Sequence, residues 1–202
     1  MKIVVLGASG HIGSEITKEL AGRGHAVTAV ARKPEAIPTA DRVTPVAGDA
    51  SDANALADLL RGADAVISAL HFDVPAETLL TAVREAGVPR LLVTGGAASL
   101  EVAPGVRLID TPQFPEEWKP FATGGITFLD HLRGISDVDW TFLSPAALIE
   151  AWPRLGRYRT GNDQLLTDDK GESRISYADY ALAMVDELEQ PKHSRARFTA
   201  AY

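Results

Sequence analysis

Lys2-Ile-Val-Val-Leu6 runs directly into Gly7-Ala-Ser-Gly10-His-Ile-Gly13, and this junction decides the fold. A continuous apolar run of this length reads as a strand buried on both faces. Ile12, Ile16 and Leu20 then recur at helical spacing, with Gly24 placed where the helix should stop. A glycine-rich turn between a strand and a helix is the setting of a dinucleotide fingerprint. In that reading Gly7 makes the tight turn, Gly10 lets the backbone approach a pyrophosphate, and Gly13 lets the helix pack closely on the strand. The helix start adds free N–H donors and a positive dipole end, so Ser9, Gly10, His11, Ile12 and Gly13 are the expected diphosphate contacts. His11 is expected to contribute through its backbone. The spacing is G-x-x-G-x-x-G rather than the commoner G-x-G-x-x-G.

Working outward, apolar runs alternate with amphipathic segments. Strands are expected at Ala26–Ala31, Val43–Ala47, Ala65–Leu70 and Arg90–Thr94. A helix capped by Ser51 or Asp52 carries Leu56, Leu59 and Leu60 and ends at Gly62; another spans Ala76–Ala86. Five strand–helix units in under 100 residues predict an α/β fold, a doubly wound parallel sheet. Beyond Gly96 the rhythm changes. Residues 97–125 hold four prolines (Pro104, Pro112, Pro115, Pro120) and read as a long loop with a broken helix. Such loops are usually functional. Gly124-Gly125 is expected to be its hinge, with a helix following from about Ile126 to Arg133. A sixth strand is expected over Trp140–Leu143, strand-like pieces near Tyr158, Leu165 and Ile175, a capping box at Ser176–Asp179, and a last strand over Arg197–Ala201. The chain reads as one domain, residues 1–202, whose substrate side is built from 97–125 and the C-terminal region.

Composition narrows the function. The chain has no cysteine, which excludes disulfides, thiolate metal sites and a cysteine nucleophile. A formal net charge of −7 argues against a nucleic-acid partner. No apolar run reaches the length of a membrane span, and no targeting segment is expected ahead of the first strand. A cytoplasmic protein is expected, and no metal, because no His/Asp/Glu grouping has ligand spacing.

The fingerprint, the Arg32-Lys33 pair after strand two, Gly48-Asp49, the Val93-Thr-Gly-Gly-Ala-Ala-Ser-Leu100 run and the Ser176-Tyr-Ala-Asp-Tyr-Ala181 segment resemble the atypical short-chain dehydrogenase/reductase family. Within it the chain is most similar to the NAD(P)H-binding subgroup that includes NmrA-like proteins and biliverdin/flavin reductases. The resemblance spans essentially the whole chain and implies a Rossmann fold. It also implies that Asp49, with Ala50 beside it, meets the adenine, that Ala69 and Leu70 run along the cofactor ribose, and that Pro145 shapes the nicotinamide pocket. Thr94, Gly95 and Gly96 leave strand five at a carboxyl end, where ligands of such sheets collect.

An NAD site would put an acid at the end of strand two, whereas Arg32 and Lys33 stand there, which suits the 2′-phosphate of NADP. NADP(H) is therefore expected, with NAD as the weaker alternative. Mainstream members of the family use a Tyr-x-x-x-Lys pair, and none of Tyr158, Tyr177, Tyr180 or Tyr202 has that lysine. Proton donors are then sought among His71, Ser99 and Lys119, with His131 behind them, and Phe114, Trp118 and Phe121 are candidate pocket aromatics. Two readings result: an NADPH-dependent oxidoreductase passing hydride to a small quinone-, flavin- or carbonyl-like acceptor, or a non-catalytic NADP-binding sensor of the NmrA-like type. A monomer or homodimer is expected.

Overall fold

The computed structural model describes residues 1–202. Its centre is an eight-stranded sheet built from β1 (Lys2–Leu6), β2 (Ala26–Ala31), β3 (Val43–Ala47), β4 (Ala65–Ser68), β5 (Arg90–Thr94), β8 (Asp139–Ser144), β10 (Arg159–Gly161) and β12 (Ala196–Ala201). A hairpin of β6 (Glu101–Ala103) and β7 (Val106–Arg107) and a parallel pair of β9 (Leu148–Glu150) and β11 (Arg174–Ser176) lie outside it. The strand order is β10-β12-β8-β5-β4-β1-β2-β3, parallel throughout except for β10. Chain order reverses between β1 and β4, so the crevice for a ligand opens at the carboxyl ends of those two strands. This is the doubly wound Rossmann arrangement expected from the apolar runs.

Helices α1 (His11–Gly22) and α5 (Tyr177–Glu189) cover one face; α2 (Ala53–Leu60), α3 (Ala76–Ala86) and α4 (Lys119–Arg133) cover the other. The two faces bury clusters of 24 and 22 residues, near equality that explains why the central strands read as unbroken apolar runs. Local signals place several ends. Asp52 caps α2 by accepting from the N–H groups of Asn54 and Ala55, and Gly87, at φ +68°, ends α3 in the left-handed region. β3 pairs only with β2 and carries Pro45, and the opposite edge is the three-residue β10.

Four expectations need correction. The β2–β3 connection contains only a 3₁₀ turn, Pro34–Ala36, so not every unit has its α-helix. Ala69 and Leu70 leave the sheet instead of extending β4, while the strand-like piece near Leu165 is a single parallel bridge from Gln164 to Glu101. The 97–125 segment holds the β6–β7 hairpin and two 3₁₀ turns, and α4 begins at Lys119, well before Ile126. Gly124 and Gly125 therefore lie inside α4 and are no hinge. A Cβ on Gly125 would sit 2.8 Å from the Phe72 ring, and one on Gly124 would sit 3.3 Å from Phe72 Cβ. Both glycines admit Phe72 against the helix.

The capping box is half formed. Ser176 Oγ accepts from the Asp179 N–H at 3.1 Å, but the Asp179 carboxylate turns away to serve a loop. It accepts from the N–H groups of Leu155 (2.7 Å) and Gly156 (2.9 Å) and from the hydroxyls of Ser176 and Tyr202. Burial alone would raise its pKa; these four donors outweigh burial and hold it below the usual carboxylate range. A depressed folded-state value means stability that is present above the unfolded value of about 3.9 and lost as pH falls through the folded one. Asp179→Asn is accordingly expected to cost about 2 kcal/mol at neutral pH, with the gap narrowing as pH falls below the unfolded value of about 3.9. Denaturant midpoints across that range test this, and a gap that stays constant with pH would refute it.

Candidate functional site: the dinucleotide crevice

Gly7 takes φ +74°, and a Cβ there would lie 2.5 Å from Ala69 O, so the turn requires glycine on both counts. The turn is fastened by Gly7 and Ala8 N–H groups donating to Val30 O and by Gly10 N–H donating to Gly7 O. A Cβ on Gly13 would collide with Gly7 O at 2.2 Å, which is the close helix–strand packing the fingerprint predicts. Gly10 differs. Its φ is −77°, and a Cβ there meets only Gly7 O at 3.3 Å, so the absent side chain leaves room on the open side of the turn. No side chain caps α1, so its first-turn N–H groups have no side-chain acceptor at the N-cap. The turn and uncapped helix fit a diphosphate.

Arg32 and Lys33, just beyond the end of β2, are both exposed. Asp49, at the exit of β3, is exposed beside them and accepts from the Ser51 N–H at 3.0 Å. That backbone bond first, then the Ser51 hydroxyl and the Arg32 charge, hold its carboxyl below the usual range. Ala50 is buried under the turn. Ala69 and Leu70 are half-buried, and Ala69 N–H donates to Leu6 O, so the β4 exit lines the crevice opposite the fingerprint.

At the β5 exit, Thr94 is buried and Gly95 is explained by packing: a Cβ would lie 2.2 Å from the Phe142 ring. The Gly95 N–H is engaged by Leu143 O and the Tyr180 hydroxyl, which itself donates to Leu143 O at 2.6 Å. Burial pushes the Tyr180 phenol far up, so this tyrosine rivets β5 to β8 in its neutral form. Gly96 is open, with only Phe72 near its Cβ position, and Pro145 is buried behind Ser144.

The three proton-donor candidates do not converge as one set. His71 is exposed and its ring meets Phe121 edge-on, centroids 5.6 Å apart. Lys119 starts α4, two residues before Phe121, with its ammonium on Glu116 at 2.5 Å. Ser99 stands elsewhere, accepting from the buried Arg197 guanidinium at 3.2 Å; Arg197 also donates to Ser144 and pairs with Asp163. His131 contacts Glu77 between α3 and α4. Trp118 and Phe121 are 55% and 58% exposed, and Phe121 is the one that meets His71. Phe114 is half-buried.

Two features escaped the sequence reading. Tyr177, in the first turn of α5, stacks on His11, centroids 5.4 Å apart and planes 7° from parallel. Phe72 gathers Phe121, Phe128 and Phe142 around it. Only the capping box, which put Tyr177 at a helix start, hinted at the first.

The family described as NAD(P)H-binding matches residues 7–191. The chain belongs to that NAD(P)H-binding family. It is 42% identical over 98% of its length, and 97% of the relative's, to the uncharacterized protein YwnB of Bacillus subtilis. A solved structure of a candidate epimerase from Bacteroides thetaiotaomicron is 44% identical, covers 100% of this chain and 96% of its own, and superposes with a TM-score of 0.94. Another, a candidate NADH-flavin reductase from Streptococcus pneumoniae, is 36% identical, with 100% and 99% coverage and a TM-score of 0.88. The match opens on the fingerprint glycine, Gly7. No helix is long and apolar enough to cross a membrane.

Proposed function

We propose that the chain is an NADPH-dependent oxidoreductase that passes hydride to a small, planar, unsaturated acceptor such as a quinone, a flavin or a conjugated carbonyl. The observation that carries this is the ledge of His71 and Phe121 beside the exit of β4, both exposed and meeting edge-on, with exposed Trp118 three residues before Phe121; we take residues 97–125 as the substrate side. When bound, the dihydronicotinamide supplies the hydride, and the fold's part is to position it and exclude competing reactions. The ledge offers a planar acceptor a face to stack on. His71, exposed on it, is the side chain we assign to proton delivery; Ser99 and Lys119 are held by Arg197 and Glu116 and serve as secondary candidates. The Streptococcus relative, a candidate NADH-flavin reductase, supports this class of acceptor.

A second reading, an NADP-binding sensor without turnover, is favoured by the tyrosines. The hydroxyls of Tyr158, Tyr180 and Tyr202 donate to Asp186, Leu143 and Asp179, leaving none of these three free for acid–base work. Steady NADPH consumption with a panel of quinones, flavins and enones separates the readings. Turnover with none of them overturns the enzyme.

For the cofactor, Arg32 and Lys33 support NADP(H) over NAD(H). A charge-assisted bond from Arg32 to the 2′-phosphate contributes roughly 1.5–3 kcal/mol, or about ten- to a hundredfold in affinity. Arg32→Ala should remove most of that preference and leave NADH binding nearly unchanged. Fluorescence titration of both cofactors measures it, and equal affinities in the unmodified protein would sink the assignment.

A further inference from the structure

A cavity of about 220 Å³ lies toward the end of α5 that is remote from the glycine turn. Tyr177, the first residue of α5, stacks on His11 at the turn, and Asp186 stands roughly 14 Å further along the helix axis. Ala183, Asp186, Glu187 and Gln190 follow one another at helical spacing and make one wall of the cavity. Tyr158 and Thr160, Phe198 of β12 and the Lys192-His193 loop make the other. None of these residues belongs to the dinucleotide crevice. Ala183 and Phe198 are buried and apolar. The His193 ring lies flat on Phe198, centroids 4.2 Å apart and planes 4° from parallel. The acids of the cavity are already engaged: Asp186 pairs with Arg23 at 2.8 Å and accepts from the Tyr158 hydroxyl at 2.5 Å. Glu187 pairs with Arg90 and accepts from the N–H groups of Lys192 and His193. The one charged side chain of the lining without a partner is Lys192, whose exposed ammonium enters no ion pair or hydrogen bond. The side chains of Thr160 and Gln190, also exposed, make no hydrogen bond either.

We propose that this cavity is a second small-molecule site, for a planar monocarboxylate of the single-ring aromatic acid class. Lys192 answers the carboxylate, and Thr160 and Gln190 supply hydrogen bonds beside it. The ring of the ligand lies on the apolar part of the lining, among Ala183, Phe198 and the faces of Tyr158 and His193. A concave site that is mostly flat and apolar, with a few polar groups at one side, fixes both the body and the orientation of such a ligand. The size agrees, since a cavity of about 150 Å³ already holds benzene. An amine of the same shape is disfavoured, because both carboxylates are committed to guanidinium groups and the unpartnered charge is positive. This site neither uses nor needs the hydride-transfer reading of the crevice.

The test is a titration of the full chain with benzoate, benzylamine and acetate, followed residue by residue through amide shifts in NMR spectra. Benzoate is expected to bind with a Kd of about 1 mM, ordinary for so small a ligand. The shifting amides should be those of residues 158–160 and 183–193, and the response should be the same with NADP+ present. Benzylamine keeps the ring and reverses the charge; acetate keeps the charge and lacks the ring. Each should bind at least about tenfold more weakly than benzoate. Lys192→Ala should weaken benzoate about tenfold, and Lys192→Glu should reverse the order of benzoate and benzylamine. The Lys192 side chain is exposed, so both variants should melt with the parent. Benzoate that shifts residues 7–13 instead, or that NADP+ displaces, belongs to the crevice and overturns the second site. Benzylamine or acetate binding as well as benzoate, or full benzoate affinity in Lys192→Ala, overturns the ligand class. Absence of turnover with every hydride acceptor would overturn the oxidoreductase reading and leave this site standing, because the titration reads binding alone.

Discussion

A Gly10→Val protein is expected to fold normally and to lose dinucleotide binding. The backbone at Gly10 has φ −77° and ψ 168°, a region any residue adopts, so valine brings no backbone strain. The added Cβ touches only Gly7 O, at 3.3 Å, and the rest of the side chain projects to the open side of the turn. That is the space where the fingerprint reading puts a pyrophosphate, and the expected loss is on the order of a hundredfold or more in affinity for either cofactor. Gly13→Val makes the contrast. Its Cβ would stand 2.2 Å from Gly7 O, so that variant should lower the melting temperature as well as the affinity. Thermal melts with and without NADPH distinguish the two. Unaltered NADPH affinity in folded Gly10→Val would remove the diphosphate from this turn.

Glu187→Ala should be the most destabilising single change away from the crevice. Arg90 and Glu187 are both buried, 3.1 Å apart, linking the start of β5 to α5. Glu187 also accepts from the N–H groups of Lys192 (3.0 Å) and His193 (2.8 Å) and meets the His193 ring at 2.8 Å. Arg90 has further bonds to Asp139 and Thr141, but its Nε already lacks a partner. Removing Glu187 leaves the buried Arg90 guanidinium with Asp139 as its remaining carboxylate and takes the acceptor from two partly buried N–H groups, a loss of about 3 kcal/mol. Much of a small domain's net stability is of that size. Denaturant unfolding measures it, and a loss under ~1 kcal/mol would show that the pair contributes little. Replacement of both Arg90 and Glu187 by apolar residues should cost less than replacing Glu187 alone.

The half of the fold around β1 to β5 was legible because β1, β2, β4 and β5 are largely buried on both faces and each helix carries one apolar face. The glycine turn was legible for a related reason: the steric demands on Gly7 and Gly13 are local, within a few residues of chain. The region after Gly96 was not. Pro120 looks like a helix breaker, yet it falls in the first turn of α4, where no intrahelical N–H is lost. Gly124 and Gly125 look like a hinge because glycine weakens helices, but the reason for them is Phe72, on the loop after β4. The site shows the same division. Arg32, Lys33 and Gly10 declare themselves by type and position. Tyr177 reaches His11, and Arg197 reaches Ser99, only through tertiary packing between segments far apart in sequence. No spacing rule reports such a meeting.

The two borders of the central sheet have a consequence for how copies of this chain meet at high concentration. An unpaired strand is a template on which another chain can add its own strand and begin a polymer. On β3, Pro45 withholds an N–H in the middle of the outermost strand, so an added strand could not complete its ladder there. At the other border, β10 offers three residues, too short a stretch to seed a fibre. Both ends of the sheet are thereby closed to backbone addition, and contact between copies is left to side-chain surfaces on helices and loops.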